Sequence, residues 1–317
     1  MTRLVIIDGN AILHRAFHAL PPLTSPDGTL TNAVYGFASM LLRLVADLAP
    51  THVAVAFDRP KPTFRKELYG GYQIKRPKMD NGLVIQIPLL HDLLASMKVP
   101  VFEQDGFEAD DVIGTICKHA KKKKIDQVII VTGDRDLLQL VTENIRAYMP
   151  TKGLSEAKLY GPTETTARVG VSPSQIPDYK ALAGDQSDNY PGVPGIGPKT
   201  AVGLVHRYHT IEHLYAALER GTVHASNGIK EKLKEHKELA ILSKALATIR
   251  TDVPGDNNVP PITEKQFVSD EALRALQRLG FQSLVKRLQK NQSSEKPQDT
   301  KKKEERKKSI DEQMSLV

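Results

Sequence analysis

Three short runs of apolar residues in the first half of the chain predict buried β-strands. They cover residues 4–7, 52–57 and 127–131, and none of them alternates between apolar and polar positions. Unbroken apolar runs of this length are typical of strands covered on both faces of a parallel sheet. Residues 31–49 lie between the first two runs and place apolar side chains at helical spacing. The alternation of strands and helices predicts an α/β fold with a doubly wound, mostly parallel sheet.

An aspartate follows each of the three predicted strands, at Asp8, Asp58 and Asp134. Any one of them could be an ordinary turn residue or helix cap, since aspartate favours both positions. In open α/β sheets, however, the binding site lies beyond the carboxyl ends of the strands. We therefore expect these three carboxylates to converge at one edge of the sheet.

A triplet of acids, Glu108, Asp110 and Asp111, stands where a polar segment becomes an apolar-periodic helix. One acid near the N-cap is favoured by the exposed N–H groups and the helix dipole, and we place Asp110 and Asp111 at or near that cap. Three acids need another reason, because neighbouring carboxylates repel by up to roughly 4 kcal/mol per pair in a partly buried site. A cation that neutralises them resolves this conflict, and oxygen ligands alone indicate Mg²⁺ or Mn²⁺.

Between Asp58 and Glu108, residues 64–78 interleave basic residues with aromatic ones. This mixture suits contact with phosphates together with stacking on bases, although a solvated surface would also be charged. Its position directly after a predicted site strand favours the nucleic-acid interpretation. The following residues, 83–97, are mostly apolar and predict a helix despite Pro88.

Strand signals fade from about residue 160, and residues 162–169, 173–183, 211–219, 229–249 and 270–289 predict helices of a second region. The glycine-rich segment at 192–200 is not a nucleotide-binding loop, because Pro198 breaks the required spacing and no strand precedes it. It predicts a tight hairpin between two helices, in which Gly195 and Gly197 permit positive φ, Pro198 starts the next helix and outward-facing backbone N–H groups hold a phosphate. Asp185 and Asp188, just upstream, have the spacing of further metal ligands.

Composition restricts the class of protein. The 317 residues are 40% hydrophobic and 26% charged, which is typical of a soluble globular protein. No apolar run approaches the roughly 20 residues of a membrane span, and the single cysteine, Cys117, excludes an internal disulfide and suits a reducing cytoplasm. The net charge is +7 although acids are concentrated in a few places, so positive surfaces suited to a polyanion are expected elsewhere.

These motifs together resemble the 5′-nuclease (flap endonuclease) family, and most closely the 5′→3′ exonuclease domains of bacterial DNA polymerases I. The likeness covers about residues 3–288, and its motifs lie in family order at residues 7–10, 54–58, 64–72, 108–111, 132–136 and 184–197. The resemblance implies one part of a divalent-metal site at Asp8, Asp58, Glu108, Asp110 and Asp111. An adjacent part is implied at Asp134, Asp136, Asp185 and Asp188.

The resemblance also implies how DNA is bound and cut. Residues 64–98 are expected to form a helical arch over a single-stranded 5′ end, and the hairpin a helix–hairpin–helix on duplex DNA, with K⁺ often bound there. Two metal ions are expected to promote hydrolysis of a phosphodiester bond, which releases short 5′-phosphorylated fragments. Arg15, Arg65 and Arg76 are the expected phosphate electrophiles. Tyr72 is expected to stack on a base, and Gly192, Gly195, Gly197 and Lys199 to contact duplex DNA.

One position departs from the family pattern. The tyrosine that matches Tyr72 is usually followed by a lysine that reaches the scissile phosphate, but here the next residue is Gln73. A glutamine cannot supply the same charge, so either Lys75 replaces that lysine or the enzyme is slower than its relatives.

The expected partners are DNA with 5′ flaps, nicks or gaps and RNA primers, processed by a monomer in replication and repair. Two other classes of function remain. A non-catalytic DNA-binding relative has no reason to keep nine carboxylates. A metal-dependent phosphatase with an Asp-x-Asp motif, as at Asp134 and Asp136, needs neither a glycine hairpin nor an arch.

The organisation predicted is a nuclease core at 1–160, a helix–hairpin–helix region at 161–290 and a disordered basic tail at 291–317. The chain ends in a sequence that resembles the short peptide by which bacterial replication proteins bind the sliding clamp. Gln313, Ser315 and Leu316 match that peptide directly, whereas Met314 and Val317 keep only its apolar character. A chance match, or a linker from a longer polymerase, would explain the same residues.

Overall fold

A six-stranded sheet forms the centre of the N-terminal half in a computed structural model that describes residues 1–152 and 156–293. Across the sheet the strand order is β3-β2-β1-β4-β5-β6, and all neighbours are parallel except β5 and β6. The predicted doubly wound, mostly parallel sheet is therefore confirmed. The strands are β1 (Arg3–Asp8), β2 (His52–Ala56), β3 (Val101–Phe102), β4 (Gln127–Val131), β5 (Ile145–Lys152) and β6 (Glu156–Tyr160).

The three central strands are those that the apolar runs predicted. Alternate side chains of β1 enter two different cores: Val5 and Ile7 contact one, and Leu4 and Ile6 contact the other. Burial on both faces explains why these strands have no polar positions to alternate with. The outer strands were not predicted, because β3 has two residues and β5 carries polar side chains and Pro150.

Helices cover both faces of the sheet. The first core, which contains Val5 and Ile7, lies between the sheet and helices α1, α2 and α5. The other, which contains Leu4 and Ile6, lies between the sheet and α6. Helix α2 reproduces the predicted 31–49 segment, while the predicted 83–97 helix is divided between α4 and α5. Pro88 lies in the first turn of α5, where its missing N–H group costs no hydrogen bond. The helices of this half are α1 (Gly9–Ala19), α2 (Asn32–Leu48), α3 (Phe64–Leu68), α4 (Asn81–Val84), α5 (Gln86–Ser96) and α6 (Ala109–Lys122).

The segment predicted to form a helical arch is only partly helical. Helix α3 contains five residues, and the chain then runs through turns and irregular structure until α4 begins at Asn81. The arch at 64–98 therefore has a non-helical middle, and its role over DNA stays a prediction.

The second region is helical, as predicted. Its core packs against β5 and β6 through Ala147, Met149 and Tyr160, so the two regions share a buried boundary. The predicted 229–249 and 270–289 helices are each interrupted, at His236 and before Gln282. The helices are α7 (Pro162–Val169), α8 (Ile176–Ala183), α9 (Pro198–Tyr208), α10 (Ile211–Glu219), α11 (Asn227–Glu235), α12 (Lys237–Ala247), α13 (Asp270–Arg278) and α14 (Gln282–Ser293).

The last two helices do not complete the second region, in contrast to the prediction. Leu276 of α13 and Leu284 of α14 belong to the first core, together with Phe37 of α2 and Leu93 of α5. The amphipathic pattern of α13 predicted a helix with one buried face, but such a pattern does not say which neighbour covers that face.

The glycine hairpin joins α8 to α9. Gly192 has φ of 62°, and a Cβ atom there would lie 2.3 Å from the backbone nitrogen of Gly184, so only glycine fits. Gly195 has φ of 78°, as predicted. Gly197 does not use this freedom, since it is the N-cap of α9 with φ of −87°, and Pro198 begins the helix as predicted.

Two further predictions concern a membrane span and the C-terminal tail. Among residues 1–152 and 156–293, no helix is long and apolar enough to span a lipid bilayer. The tail and its clamp-like residues Gln313, Met314, Leu316 and Val317 lie outside the described residues.

Candidate active site

The carboxyl ends of β1 and β2 and the start of α6 meet at one edge of the sheet. Asp8, the last residue of β1, accepts hydrogen bonds from the backbone N–H of Ala11 (3.0 Å) and from the Thr132 hydroxyl beyond β4 (2.7 Å). Asp58 follows β2 and accepts from the backbone N–H of Ala109, the first residue of α6, at 2.8 Å. Asp8 is therefore both the cap of α1 and a residue of the site, so the helix-cap and site interpretations of this aspartate are compatible.

The start of α6 agrees with the prediction that Asp110 and Asp111 lie at or near the N-cap. Glu108 is the N-cap, whereas Asp110 and Asp111 lie within the first turn. Asp111 turns back and accepts from the Glu108 backbone N–H at 3.1 Å. Asp110 faces the other acids, since its strongest electrostatic neighbours are Asp134 and Asp8.

A cleft of about 2100 Å³ opens over this edge. Basic side chains line its other walls, among them Arg15 of α1 and the exposed Lys75 and Arg76. A cleft lined by acids and by basic side chains suits a phosphodiester. Metal ions on the acids and the basic side chains would both contact its negative charge. The acids that line the cleft are Asp8, Asp58, Asp80, Glu103, Glu108, Asp110, Asp134, Asp136 and Asp188.

A second group of acids lies beside the first. Carboxylate oxygens of Asp136, Asp185 and Asp188 lie within 4.8 Å of one another. The Lys180 ammonium group of α8 lies between two of them: it contacts Asp136 and lies 2.5 Å from an Asp185 oxygen. Lys180 was not predicted, because its setting in the sequence is ordinary and only the tertiary fold brings it to the acids.

Tyr72 joins the two groups of acids. Its hydroxyl donates towards Glu108 (3.1 Å) and Asp188 (3.3 Å). The ring is 3% exposed and stacks on Tyr190, with centroids 6.4 Å apart, so it presents no face to a base. The predicted stacking role is therefore not supported by this arrangement. Gln73 donates from its amide to the other Asp188 oxygen at 2.9 Å.

Arg65 and Asp111 form a buried ion pair, in contrast to their predicted roles. The guanidinium donates to both Asp111 oxygens, at 2.7 and 2.8 Å, and to the carbonyls of Leu246 and Thr248 at the end of α12. Arg65 is 2% exposed and Asp111 is 0% exposed. Arg65 borders the cleft, but with 2% exposure and most of its donors occupied it is poorly placed to contact a phosphate. Asp111 is fully buried and is not placed to hold a metal ion. Their pair instead ties α3 and α6 to α12.

The electrostatics of the cleft favour protonated carboxyls in the metal-free protein. Burial raises the pKa of Asp8, Glu108 and Asp136 to about 7 each, and neighbouring carboxylates add to the increase. Burial and then Asp134 raise the pKa of Asp110 well above its ordinary value. Asp185 differs: burial raises its pKa, but Lys180 and the Ser187 hydroxyl outweigh that effect and the net pKa is lowered.

The residues present fit a divalent cation. The donor set consists of carboxylate oxygens, the ligands that Mg²⁺ and Mn²⁺ prefer. The Tyr190 hydroxyl is also buried beside the second group of acids, and among the described residues it has no hydrogen-bond partner. An orphaned polar atom next to clustered oxygens is consistent with a hydrated ion.

Two sequence families match the chain. Residues 3–170 match a family described as 5′-3′ exonuclease, N-terminal resolvase-like domain, and residues 171–269 match the 5′-3′ exonuclease, C-terminal SAM fold. DNA polymerase I of Bacillus caldotenax is 40% identical over 293 residues, which is 92% of this chain and 33% of that protein. DNA polymerase I of Mycobacterium leprae is 38% identical over 289 residues, covering 90% of this chain and 31% of that protein. The chain thus spans about a third of the length of these relatives.

Solved structures share the fold. A phage T5 5′-exonuclease with bound zinc aligns with a TM-score of 0.65 at 21% identity, covering 91% of this chain and 97% of that one. A T5 flap endonuclease in complex with DNA and metal ions gives 0.65 at 20% identity, with coverages of 91% and 97%. The catalytic core of Rad2 with a DNA substrate gives 0.54 at 14% identity, with coverages of 88% and 91%.

Carboxylate repulsion predicts a pH-dependent effect of Asp110→Asn. A carboxyl whose pKa is raised on folding destabilises the folded state once the pH exceeds its ordinary pKa, and fully so above the raised one. In EDTA at pH 8, we expect Asp110→Asn to be more stable than the wild type by roughly 1–3 kcal/mol. The difference should shrink as the pH falls towards 4, as measured by urea unfolding.

A surface aspartate provides the control. The pKa of Asp126 is lowered by the backbone N–H and hydroxyl of Thr2, so Asp126→Asn should lose stability at pH 8 rather than gain it. Equal stability of wild type and Asp110→Asn across this pH range would contradict the proposed repulsion.

Proposed function

Because the chain belongs to the 5′-3′ exonuclease family, we propose that it hydrolyses DNA phosphodiester bonds at 5′ ends and 5′ flaps with divalent metal ions. The observation that carries this proposal is the convergence of acids from three strand ends, α6 and the hairpin loop on one cleft with a basic rim. Flaps, nicks, gaps and RNA primers are the proposed substrates, and short 5′-phosphorylated fragments are the proposed products.

The metal-binding residues fall into two groups. Asp8, Asp58, Glu108 and Asp110 provide the first, and Asp134, Asp136, Asp185 and Asp188 provide the second. We propose Mg²⁺ or Mn²⁺, which, when bound, lower the pKa of water and stabilise charge on the scissile phosphate. The T5 flap endonuclease solved with DNA and metal ions supports this assignment.

Residues of the chain bind and orient the substrate. Arg15, Arg76 and Lys75 line the cleft and are proposed to hold the phosphates of the 5′ strand. The hairpin with Gly192, Gly195 and Gly197 is proposed to grip duplex DNA through its backbone, with the exposed Lys199 beside it. A K⁺ ion at the hairpin, a monomeric state and a cytoplasmic, nucleoid-associated location stay predictions.

The first functional test is cleavage of a labelled 5′-flap duplex with and without Mg²⁺. Asp134→Ala should lose measurable cleavage yet bind the duplex as tightly as the wild type or more tightly, because one negative charge near a phosphate is removed. Cleavage is measured by gel electrophoresis and binding by fluorescence anisotropy in Ca²⁺ or EDTA.

Asp126→Ala is the matched control, since Asp126 precedes β4 at the opposite edge of the sheet from Asp134. It should cleave as the wild type does. Full cleavage by Asp134→Ala at saturating Mg²⁺ would refute the metal assignment. DNA binding without cleavage by the wild type would favour the non-catalytic alternative, and hydrolysis of phosphomonoesters alone would favour the phosphatase.

Gln73 provides a second test. Its amide is held by Asp188, whereas Lys75 is exposed in the cleft, so Lys75 is the proposed source of the missing positive charge. Lys75→Ala should slow single-turnover cleavage about 10-fold or more, and Gln73→Lys should accelerate it. Unchanged rates in both variants would show that this segment makes no electrostatic contribution.

We also propose that the C-terminal residues Gln313, Met314, Leu316 and Val317 bind a bacterial sliding clamp. Binding to the clamp through this peptide would raise the local enzyme concentration at nicks, and the basic residues at 301–308 would add non-specific attraction to DNA. Calorimetry of the 291–317 peptide with the cognate clamp should give binding that Gln313→Ala or Leu316→Ala abolishes. No measurable binding of the wild-type peptide would refute this partner.

A further inference from the structure

The Tyr190 side chain is buried with an unsatisfied hydroxyl. It is 3% exposed, and its oxygen has no hydrogen-bond partner among the residues that the structure describes. A buried hydroxyl without a partner destabilises the folded state, because it loses its hydrogen bonds to water and gains none. A phenylalanine would fill the same space without that cost, so the hydroxyl needs a ligand to explain it.

Two contacts fix the position of this side chain. The backbone N–H of Tyr190 donates to the Asp185 carbonyl at 3.0 Å, and the Asp185 N–H donates to the Tyr190 carbonyl at 2.9 Å. The ring stacks on Tyr72 with an interplanar angle of 16°. Tyr190 is therefore held to the loop that carries the second group of acids and to the residue that joins the two groups.

The hydroxyl lies among the charges of the second group. Its charged neighbours are Lys180, Asp136, Asp185 and Asp188. A tyrosine hydroxyl can both donate and accept a hydrogen bond.

We propose that the Tyr190 hydroxyl is a positioning residue that hydrogen-bonds a water in the hydration shell of a divalent cation held by Asp136, Asp185 and Asp188. This inference rests on the proposed function, because it assumes that these acids bind a metal. Mg²⁺ retains several waters when proteins bind it, and each of those waters needs an acceptor. The neighbouring carboxylates already accept hydrogen bonds from Lys180, Tyr72 and Gln73. The phenol oxygen therefore supplies an additional acceptor for such a water.

The test compares Tyr190→Phe with Tyr215→Phe. Tyr215 is the matched control, since it is also buried and its hydroxyl also lacks a partner within the described residues. Its charged neighbours are Glu238 and Lys237, not the two groups of acids. Calorimetric titration of the DNA-free protein with Mn²⁺ should show about tenfold weaker binding at one class of site in Tyr190→Phe, as expected for loss of an outer-shell partner. Tyr215→Phe should bind Mn²⁺ as the wild type does.

Thermal unfolding separates this role from a merely structural one. In EDTA, Tyr190→Phe should be at least as stable as the wild type, because the orphaned hydroxyl is gone. The rise in Tm on addition of Mg²⁺ should be smaller in Tyr190→Phe than in the wild type or in Tyr215→Phe. The chain contains no tryptophan, so the near-ultraviolet difference spectrum on Mg²⁺ addition reports tyrosines and should be reduced in Tyr190→Phe.

Asp185→Ala distinguishes failure of this inference from failure of the proposed function. If Asp185→Ala loses Mn²⁺ binding while Tyr190→Phe retains wild-type affinity and spectrum, the role of Tyr190 is refuted and the metal site remains. If Asp185→Ala and the wild type bind Mn²⁺ equally, both are refuted.

Discussion

Mutual repulsion among carboxylates is the constraint that shapes this molecule. The fold brings acids from three strand ends, one helix start and one loop to a single edge, where burial raises several of their pKa values to about 7. Without metal, such a site destabilises the fold and is held together by the surrounding side chains. Three devices do this: a buried guanidinium on Asp111, an ammonium group between Asp136 and Asp185, and a phenol between Glu108 and Asp188.

These three devices also connect parts of the chain that are distant in sequence. Arg65 joins the base of the predicted arch to the end of α12, Tyr72 joins the same segment to the hairpin loop, and Lys180 joins α8 to the residues after β4. The non-helical middle of the arch is therefore anchored at Tyr72 and Gln73, next to the acids. The same contacts therefore fix the position of the arch and the spacing of the acids, so a change in one also changes the other.

Sequence reasoning found the acids because their position follows from a general rule. Strand ends in a parallel sheet meet at one edge, so Asp8, Asp58 and Asp134 could be placed together without knowing the packing. It misassigned Arg65 and Asp111, since spacing along a chain does not reveal that an acid in the first turn of α6 faces inward and meets a buried arginine. Lys180 and Tyr190 were missed for a similar reason: each has an ordinary local setting, and only the tertiary fold brings it to the acids.

The fold was predicted best where local pattern and tertiary environment agree, as in the three central strands. It was predicted least well where a short or polar strand depends on its neighbours, as in β3 and β5, and where a helix has a choice of partner.

That choice of partner in α13 and α14 has a consequence for how the protein is made. The core around Phe37 and Leu93 is closed by residues 272–288, which are synthesised long after the strands they help to cover. During synthesis on the ribosome, the N-terminal sheet therefore emerges with one apolar face uncovered. That face is covered only after more than a hundred further residues of helical chain have been made. Until then, nascent α2 and α5 expose apolar surface that chaperones can bind or that can misfold. Completion of this core is therefore a late step in folding.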